Sequence, residues 1–181
     1  MLYTPNTLRA ETVLDPNWGL KYIVPYPYSS NIEICEGQLQ PCLSVLSTMS
    51  AHAAAEIWKS HPDSQVIIPG ESPFGSPGTG DLMVDHVKTV VNEDPNFAGV
   101  SSDSFIAMHS LIDGRGLNNT YLQSEGIAEY LGGNSDGVLG VRLGYHWRPQ
   151  RALRTFGMTP PFVSAESILM AHGITEYEAD H

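Results

Sequence analysis

The sequence is poor in basic residues: its 181 residues include nine Lys and Arg against twenty Asp and Glu, for a formal net charge of -11. Such a charge disfavours phosphate backbones and anionic lipids, so we expect no nucleic acid and no membrane surface as a partner. No apolar run approaches the roughly 20 residues that a membrane-spanning helix needs. Residues 1–20 lack the basic start and apolar stretch of a signal peptide, so we expect a cytoplasmic protein.

Cysteine is also scarce, and the chain contains only Cys35 and Cys42. Their spacing fits neither a CxxC redox pair nor a zinc site, so we expect two free thiols. The sequence has no HExxH pattern and no paired His and Cys spacing, and we therefore expect no metal site. It has no Walker A loop, no nucleophile elbow and no Ser-His-Asp order, so nothing argues for covalent catalysis.

What the chain does contain is an alternation of short apolar runs and amphipathic stretches. The apolar runs predict strands within 21–30, 65–70, 104–111, 137–145 and 161–167. The stretches between them predict helices over 42–60, from about 82 onward, over 118–133, and from Arg148 onward, where Pro149 suits a first helical turn. This order predicts a three-layer Rossmann-like α/β fold, with a mostly parallel sheet of about five strands and helices on both faces. We expect an N-terminal arm over 1–20 and a single domain over 21–181.

Polar residues follow each of the first four predicted strands, at the ends where parallel sheets bind their ligands. The Gly-rich loop after the second strand leads into a helix, and its N–H groups suit either an anion or simple turn formation. The candidate ligand contacts of these loops are Gly70, Ser72, Arg115, Asn119, Thr120 and Tyr145. His146 lies between a strand end and a helix start, where an imidazole can act as an acid or base, and Glu71 is a second such candidate.

Arginines are concentrated next to that histidine. Five of the nine basic residues lie within 115–154, and Arg148 and Arg151 fall in the predicted first turn of a helix. Cations there oppose the helix dipole, which indicates that they bind an anion instead. The alternative, which we favour for Arg154, is that these arginines pair with the protein's own surplus carboxylates.

The stretch "VLGVRLGYHWRPQRALRTFGM" resembles the strand-Tyr-His-helix block of the bacterial SanA/YdcF-like family, and the likeness spans roughly 21–165. "QVIIPGE" and "LNNTYLQ" resemble the family's earlier Ser-Gly-Gly and Asn-Thr-x-Glu-Asn blocks. The departures are Pro69-Gly70-Glu71, Leu122-Gln123 and Leu143-Gly144, which replace Ser-Gly-Gly, Glu-Asn and Thr-Ser. The resemblance implies a Rossmann-like fold and a site in these loops, in a family linked to cell-envelope maintenance and S-adenosylmethionine binding.

Together these observations favour a small-molecule enzyme, a hydrolase or transferase, acting on an anionic nucleotide-like or phosphorylated substrate. His146 and Glu71 would be its acid and base groups, while Arg148 and Arg151 would hold the anion. The main alternative is a non-catalytic module that binds S-adenosylmethionine or a related nucleotide. An interaction protein with an inert pocket is a third alternative, and homo-oligomers are compatible with all three.

Overall fold

The structure is a computed structural model that describes residues 6–28, 34–35, 38–39, 42–70, 78–108, 119–144 and 146–177. The strands in these ranges are β1 Tyr22–Pro25, β2 Ile34–Cys35, β3 Gln38–Leu39, β4 Gln65–Ile68, β5 Phe105–Ala107, β6 Val138–Arg142 and β7 Phe162–Ser164. The α-helices are α1 Ala10–Val13, α2 Val45–Ser60, α3 Thr79–Glu93, α4 Thr120–Tyr130, α5 Arg148–Thr155 and α6 Ala165–Ala171. Two 3₁₀ turns, Pro95–Phe97 and Ser102–Ser104, precede β5.

Five of the strands form one parallel sheet in the order β5-β4-β1-β6-β7, while β2 and β3 form a separate antiparallel pair. Neighbouring residues of a strand point to opposite faces. Ile23 therefore packs with α2, α3 and α6 on one face, and Val24 packs with α4 and α5 on the other. The predicted three-layer α/β fold with a parallel five-stranded sheet is confirmed.

The sheet requires a glycine at one point of close contact. Gly140 of β6 lies beside Phe162 of β7, and a Cβ atom at position 140 would overlap the Phe162 ring. The missing side chain lets this fully buried ring lie across β6 and fill the core beneath α4 and α5.

Local hydrogen bonds place the helix starts. Ser44 caps α2 by accepting a hydrogen bond from the Ser47 N–H at 3.2 Å, as capping serines typically do. α5 begins at Arg148 with Pro149 in its first turn, as predicted. α3 begins at Thr79, earlier than predicted, because the Asp81 carboxylate accepts the Gly78 N–H at 3.0 Å and extends the helix into the Gly-rich loop.

Near each end of the chain the structure contains elements that were not predicted from the sequence. Within the N-terminal arm, Thr7 pairs in parallel with Phe162 at the edge of the sheet, and α1 buries Ala10 and Val13. The last predicted strand, within 161–167, ends at Ser164, whose hydroxyl accepts the Ser167 N–H at 3.2 Å and starts α6.

The expectation of two free thiols is wrong, because Cys42 is disulfide-bonded. Disulfides persist in oxidising compartments and are rare in the cytosol, so this bond weighs against the predicted cytoplasmic location, which stays a prediction. Among the described helices, none combines the length and apolar character that crossing a bilayer requires.

Candidate functional site

The strand order locates the candidate site at the centre of the sheet. From β1 the chain adds β4 and β5 on one side, then crosses over to add β6 and β7 on the other. The order reverses between β1 and β6, and α/β sheets of this kind bind ligands in the crevice beyond the carboxyl ends of two such strands. The segments leaving β1 and β6 therefore form the walls of the candidate site.

These two walls meet at Tyr28 and His146. Their ring centroids are 4.6 Å apart with an interplanar angle of 48°, and the Tyr28 hydroxyl accepts the Leu143 N–H at 3.1 Å. The first turn of α2 fixes Tyr28 in turn: the Ser44 hydroxyl donates to the Tyr28 carbonyl at 2.5 Å, and Ser47 accepts the Tyr28 N–H at 2.8 Å. The β1 end, the β6 end and α2 are thus joined by one set of contacts.

A buried guanidinium supports the β6 wall from beneath. Arg142 is 1% exposed, and its Nη1 donates to the carbonyls of Leu143 at 3.1 Å and Gly144 at 2.8 Å. Its Nε donates to Gln150 Oε1 at 2.8 Å, which ties the end of β6 to α5. The Trp147 ring stacks over the guanidinium carbon at 3.8 Å, a distance typical of cation–π contacts. The backbone that carries His146 is therefore held by a rigid, planar donor.

A carboxylate holds the same wall from the other side. Glu166, in the first turn of α6, accepts the Gly144 N–H with both oxygens at 3.0 Å. Arg142 therefore binds the Gly144 carbonyl while Glu166 binds its N–H, so opposite charges fix both sides of one peptide segment. Such support is what keeps a site's geometry constant during binding.

The protonation of His146 follows from its surroundings. Partial burial lowers its pKa below the ordinary 6.5, the positive charge of Arg148 lowers it further, and the Glu166 carboxylate opposes both effects. A lowered pKa keeps the imidazole neutral at pH 7. His146 can therefore accept a proton in the crevice, as a general base must.

Arg148 and Arg151 are both exposed on α5. Within the ranges that the structure describes, neither guanidinium forms an ion pair with a carboxylate. Arg148 is the first residue of α5, two residues after His146, and its charge acts on that imidazole.

Three other predicted contacts lie at the same carboxyl edge with structural roles of their own. A Cβ at Gly70 would collide with the backbone of Gly80, so this glycine lets the start of α3 approach the end of β4. Asn119 caps α4 by accepting the Leu122 N–H at 2.9 Å, and Thr120 is the first helical residue. Their roles as ligand contacts stay predictions, and Glu71, Ser72, Arg115 and Tyr145 lie outside the described residues.

Three residues of this site were not predicted from the sequence: Tyr28, Arg142 and Glu166. Arg142 carried a signal, because it is a charged residue inside the apolar run of β6 and therefore needed partners. Tyr28 follows two prolines in a stretch that gave no position for its ring. Glu166 carried no signal, because it lay inside a predicted strand.

Two open grooves lined by described residues lie away from this crevice. One, of about 660 Å³, runs between α3 and the edge strand β5 and is lined by Asp81, Asp85 and Lys88 among others. The other, of about 540 Å³, lies at the amino ends of β1 and β4. Neither contains a predicted site residue.

Over the described part of the chain, no group of three or more His, Cys, Asp or Glu side chains could hold a metal ion. Comparisons with protein-family models, with curated proteins and with solved structures gave no match for this chain.

Proposed function

We propose that this chain is an enzyme that acts on a small anionic substrate, nucleotide-like or phosphorylated, in the crevice between the carboxyl ends of β1 and β6. The observation that carries the proposal is the meeting of Tyr28 and His146 at the point where the strand order reverses, with the exposed Arg148 two residues further on. The quoted motifs also support a place for the chain as a divergent member of the SanA/YdcF-like family.

Each group has a chemical role in this proposal. Arg148, with Arg151 one turn later on α5, binds the anion through its guanidinium and brings it to the start of the helix. His146, neutral at pH 7, takes a proton from a water or an acceptor hydroxyl, which corresponds to a hydrolase or a transferase respectively. Arg142 and Glu166 touch no substrate and hold the peptide that positions the imidazole.

A second candidate function, non-catalytic binding of S-adenosylmethionine or a related nucleotide, is favoured by one observation. Trp147 is 37% exposed while one face of its ring rests on the Arg142 guanidinium. A large ring fixed in this way at the mouth of the crevice can stack on a nucleobase. In this case His146 serves only as a hydrogen-bonding group.

The test is calorimetric titration with S-adenosylmethionine, nucleotides and sugar phosphates, followed by turnover assays on each ligand that binds. We expect Arg148→Gln to weaken binding about tenfold or more, as the loss of a charge-assisted contact does. Arg154→Gln is the matched control, because it removes another exposed guanidinium, at the far end of α5.

His146→Gln separates the two functions. Loss of turnover with unchanged affinity supports catalysis, and binding without turnover in wild type supports the binding module. Equal effects of the Arg148 and Arg154 variants on affinity would refute the proposed anion site.

A further inference from the structure

Cys42 brings a disulfide to the start of α2, the helix whose first turn holds Tyr28. Cys42 lies two residues before the Ser44 cap, is disulfide-bonded and is only partly buried. The sequence contains one other cysteine, Cys35 of β2, so a bond within the chain closes residues 35–42 into a loop. Partly exposed disulfides are open to attack by thiols in solution, whereas deeply buried ones are protected.

The first turn of α2 binds both polar groups of the Tyr28 backbone. The hydroxyls of Ser44 and Ser47 donate to the Tyr28 carbonyl at 2.5 and 2.7 Å, and Ser47 Oγ accepts the Tyr28 N–H at 2.8 Å. Ser44 makes its bond from an extended backbone (φ -61°, ψ 154°), the conformation that a capping residue requires. The position of Tyr28 therefore depends on how the chain enters α2.

Tyr28 transmits this dependence to the crevice. Its ring centroid lies 4.6 Å from that of His146, and its hydroxyl accepts the Leu143 N–H at 3.1 Å. Two peptide bonds separate Cys42 from Ser44, and each later step to His146 is a direct contact. A change of bonding at Cys42 can thus reach the imidazole through Ser44 and Tyr28 alone.

We propose that the disulfide of Cys42 is a thiol-operated control of the crevice. In the disulfide state the cross-link restricts the conformations of the chain that enters α2, so the Ser44 cap and the contact between Tyr28 and His146 are held in place. In the dithiol state the residues before the cap regain conformational freedom, and the first turn of α2 opens more often. Tyr28 then leaves His146 for part of the time.

The chemical step is thiol–disulfide exchange with a dithiol reductant. A thiolate of the reductant attacks one sulfur of the protein disulfide, the S–S bond breaks, and a mixed disulfide forms. The second thiol of the reductant then closes that mixed disulfide into the reductant's own disulfide. Two electrons pass to the protein, and its two cysteine sulfurs each take up one proton as they become thiols.

Amide hydrogen exchange at pH 7, with and without dithiothreitol, tests the control. The amides of Tyr28, Ser47 and Leu143 report it, because each donates to a side-chain oxygen on the path from α2 to the crevice. The amides of α4, on the other face of the sheet, report any change in global stability. We expect reduction to lower the protection of the three amides relative to α4 by about fivefold, the effect of losing one ordinary hydrogen bond.

Three variants separate this path from a general loss of stability. Cys42→Ser should show the low protection of the reduced protein with or without dithiothreitol. Ser44→Ala removes the step between Cys42 and Tyr28, so reduction should change the protection of Tyr28 and Leu143 no further. Asp81→Ala is the matched control, because it weakens the start of α3 instead, and the effect of reduction should survive in it.

Equal protection of the three amides in oxidised and reduced wild type would overturn the proposal. So would an effect of dithiothreitol that persists in Cys42→Ser or, should that variant fail to fold, in Cys35→Ser. The exchange measurement needs no ligand, so its failure would leave the proposed anion site standing. The consequence for catalysis, slower proton transfer by His146 in the reduced protein, rests on the proposed function.

Discussion

Replacing Arg142 by methionine tests the central support of the candidate site. The methionine fills similar space but donates no hydrogen bond, so four acceptors lose their partner: Gln150 Oε1, the carbonyls of Leu143 and Gly144, and Thr7 Oγ1, at 2.8, 3.1, 2.8 and 2.9 Å. We expect the variant to be less stable and the loop carrying His146 to lose its fixed position.

The size of the loss in stability depends on which of these acceptors can form a hydrogen bond to water instead. Gly144 and Thr7 are exposed and exchange their lost bonds for solvent at little cost. Leu143 and Gln150 are buried, and leaving each acceptor unpaired costs about 1–3 kcal/mol. Release of a buried guanidinium offsets part of this, so we expect the free energy of unfolding to fall by about 3 kcal/mol.

Urea denaturation gives this free energy, with Arg154→Met as the matched control because Arg154 is exposed at the end of the same helix. Arg154→Met should change the free energy of unfolding by less than about 0.5 kcal/mol. In the double variant Arg142→Met with Gln150→Met, donor and acceptor disappear together. We therefore expect the double variant to be more stable than the sum of the single changes by about 1–2 kcal/mol.

Two results would contradict the reasoning. A loss below about 1 kcal/mol in Arg142→Met would mean that the buried acceptors find other partners. Strict additivity with Gln150→Met would mean that the 2.8 Å contact between the two side chains contributes nothing.

Gly140→Ala should lower the free energy of unfolding by about 2 kcal/mol or more, because the new methyl group overlaps the Phe162 ring. Adding Phe162→Leu should recover part of the lost stability. Full stability of the Gly140→Ala variant would contradict the close contact. Burial alone would raise the pKa of Glu56, but its cationic and imidazole neighbours lower it to about 2. The stabilisation that ionised Glu56 provides is therefore present above about pH 4.5 and lost as the pH falls toward 2. In urea denaturation, Glu56→Gln should lower the free energy of unfolding by about 2 kcal/mol at pH 7 and by little at pH 2. An equal loss at the two pH values would refute the ion pairing. Arg148→Gln should raise the pKa of His146 in an NMR titration, whereas an unchanged pKa would place the guanidinium away from the imidazole.

Much of the sheet could be predicted because its strands carry their own signal. Runs such as Val66, Ile67 and Ile68 are apolar on both sides, which only a strand covered on two faces explains. The start of α3 was predicted late, because the hydrogen bond from Gly78 to Asp81 forms only once the helix is present. α6 was missed because Ser164 reads equally well as a strand end and as a helix cap.

The candidate site was predicted only in part. His146, Arg148 and Arg151 could be named because a strand end followed by cations at a helix start is a local pattern, visible within ten residues. Tyr28 and Glu166 could not, because each reaches the β6 wall from a strand or helix far away in the sequence. The disulfide of Cys42 was likewise missed, since spacing alone does not determine pairing.

The sequence by itself determined the α/β class, the parallel sheet and the position of the cationic helix start, because apolar periodicity and proline placement act within a few residues. The tertiary structure alone decided which loops meet, which charges are buried and which imidazoles face acceptors. These depend on the order of strands across the sheet, which brings together residues as distant as Tyr28 and His146, and no local preference encodes that order.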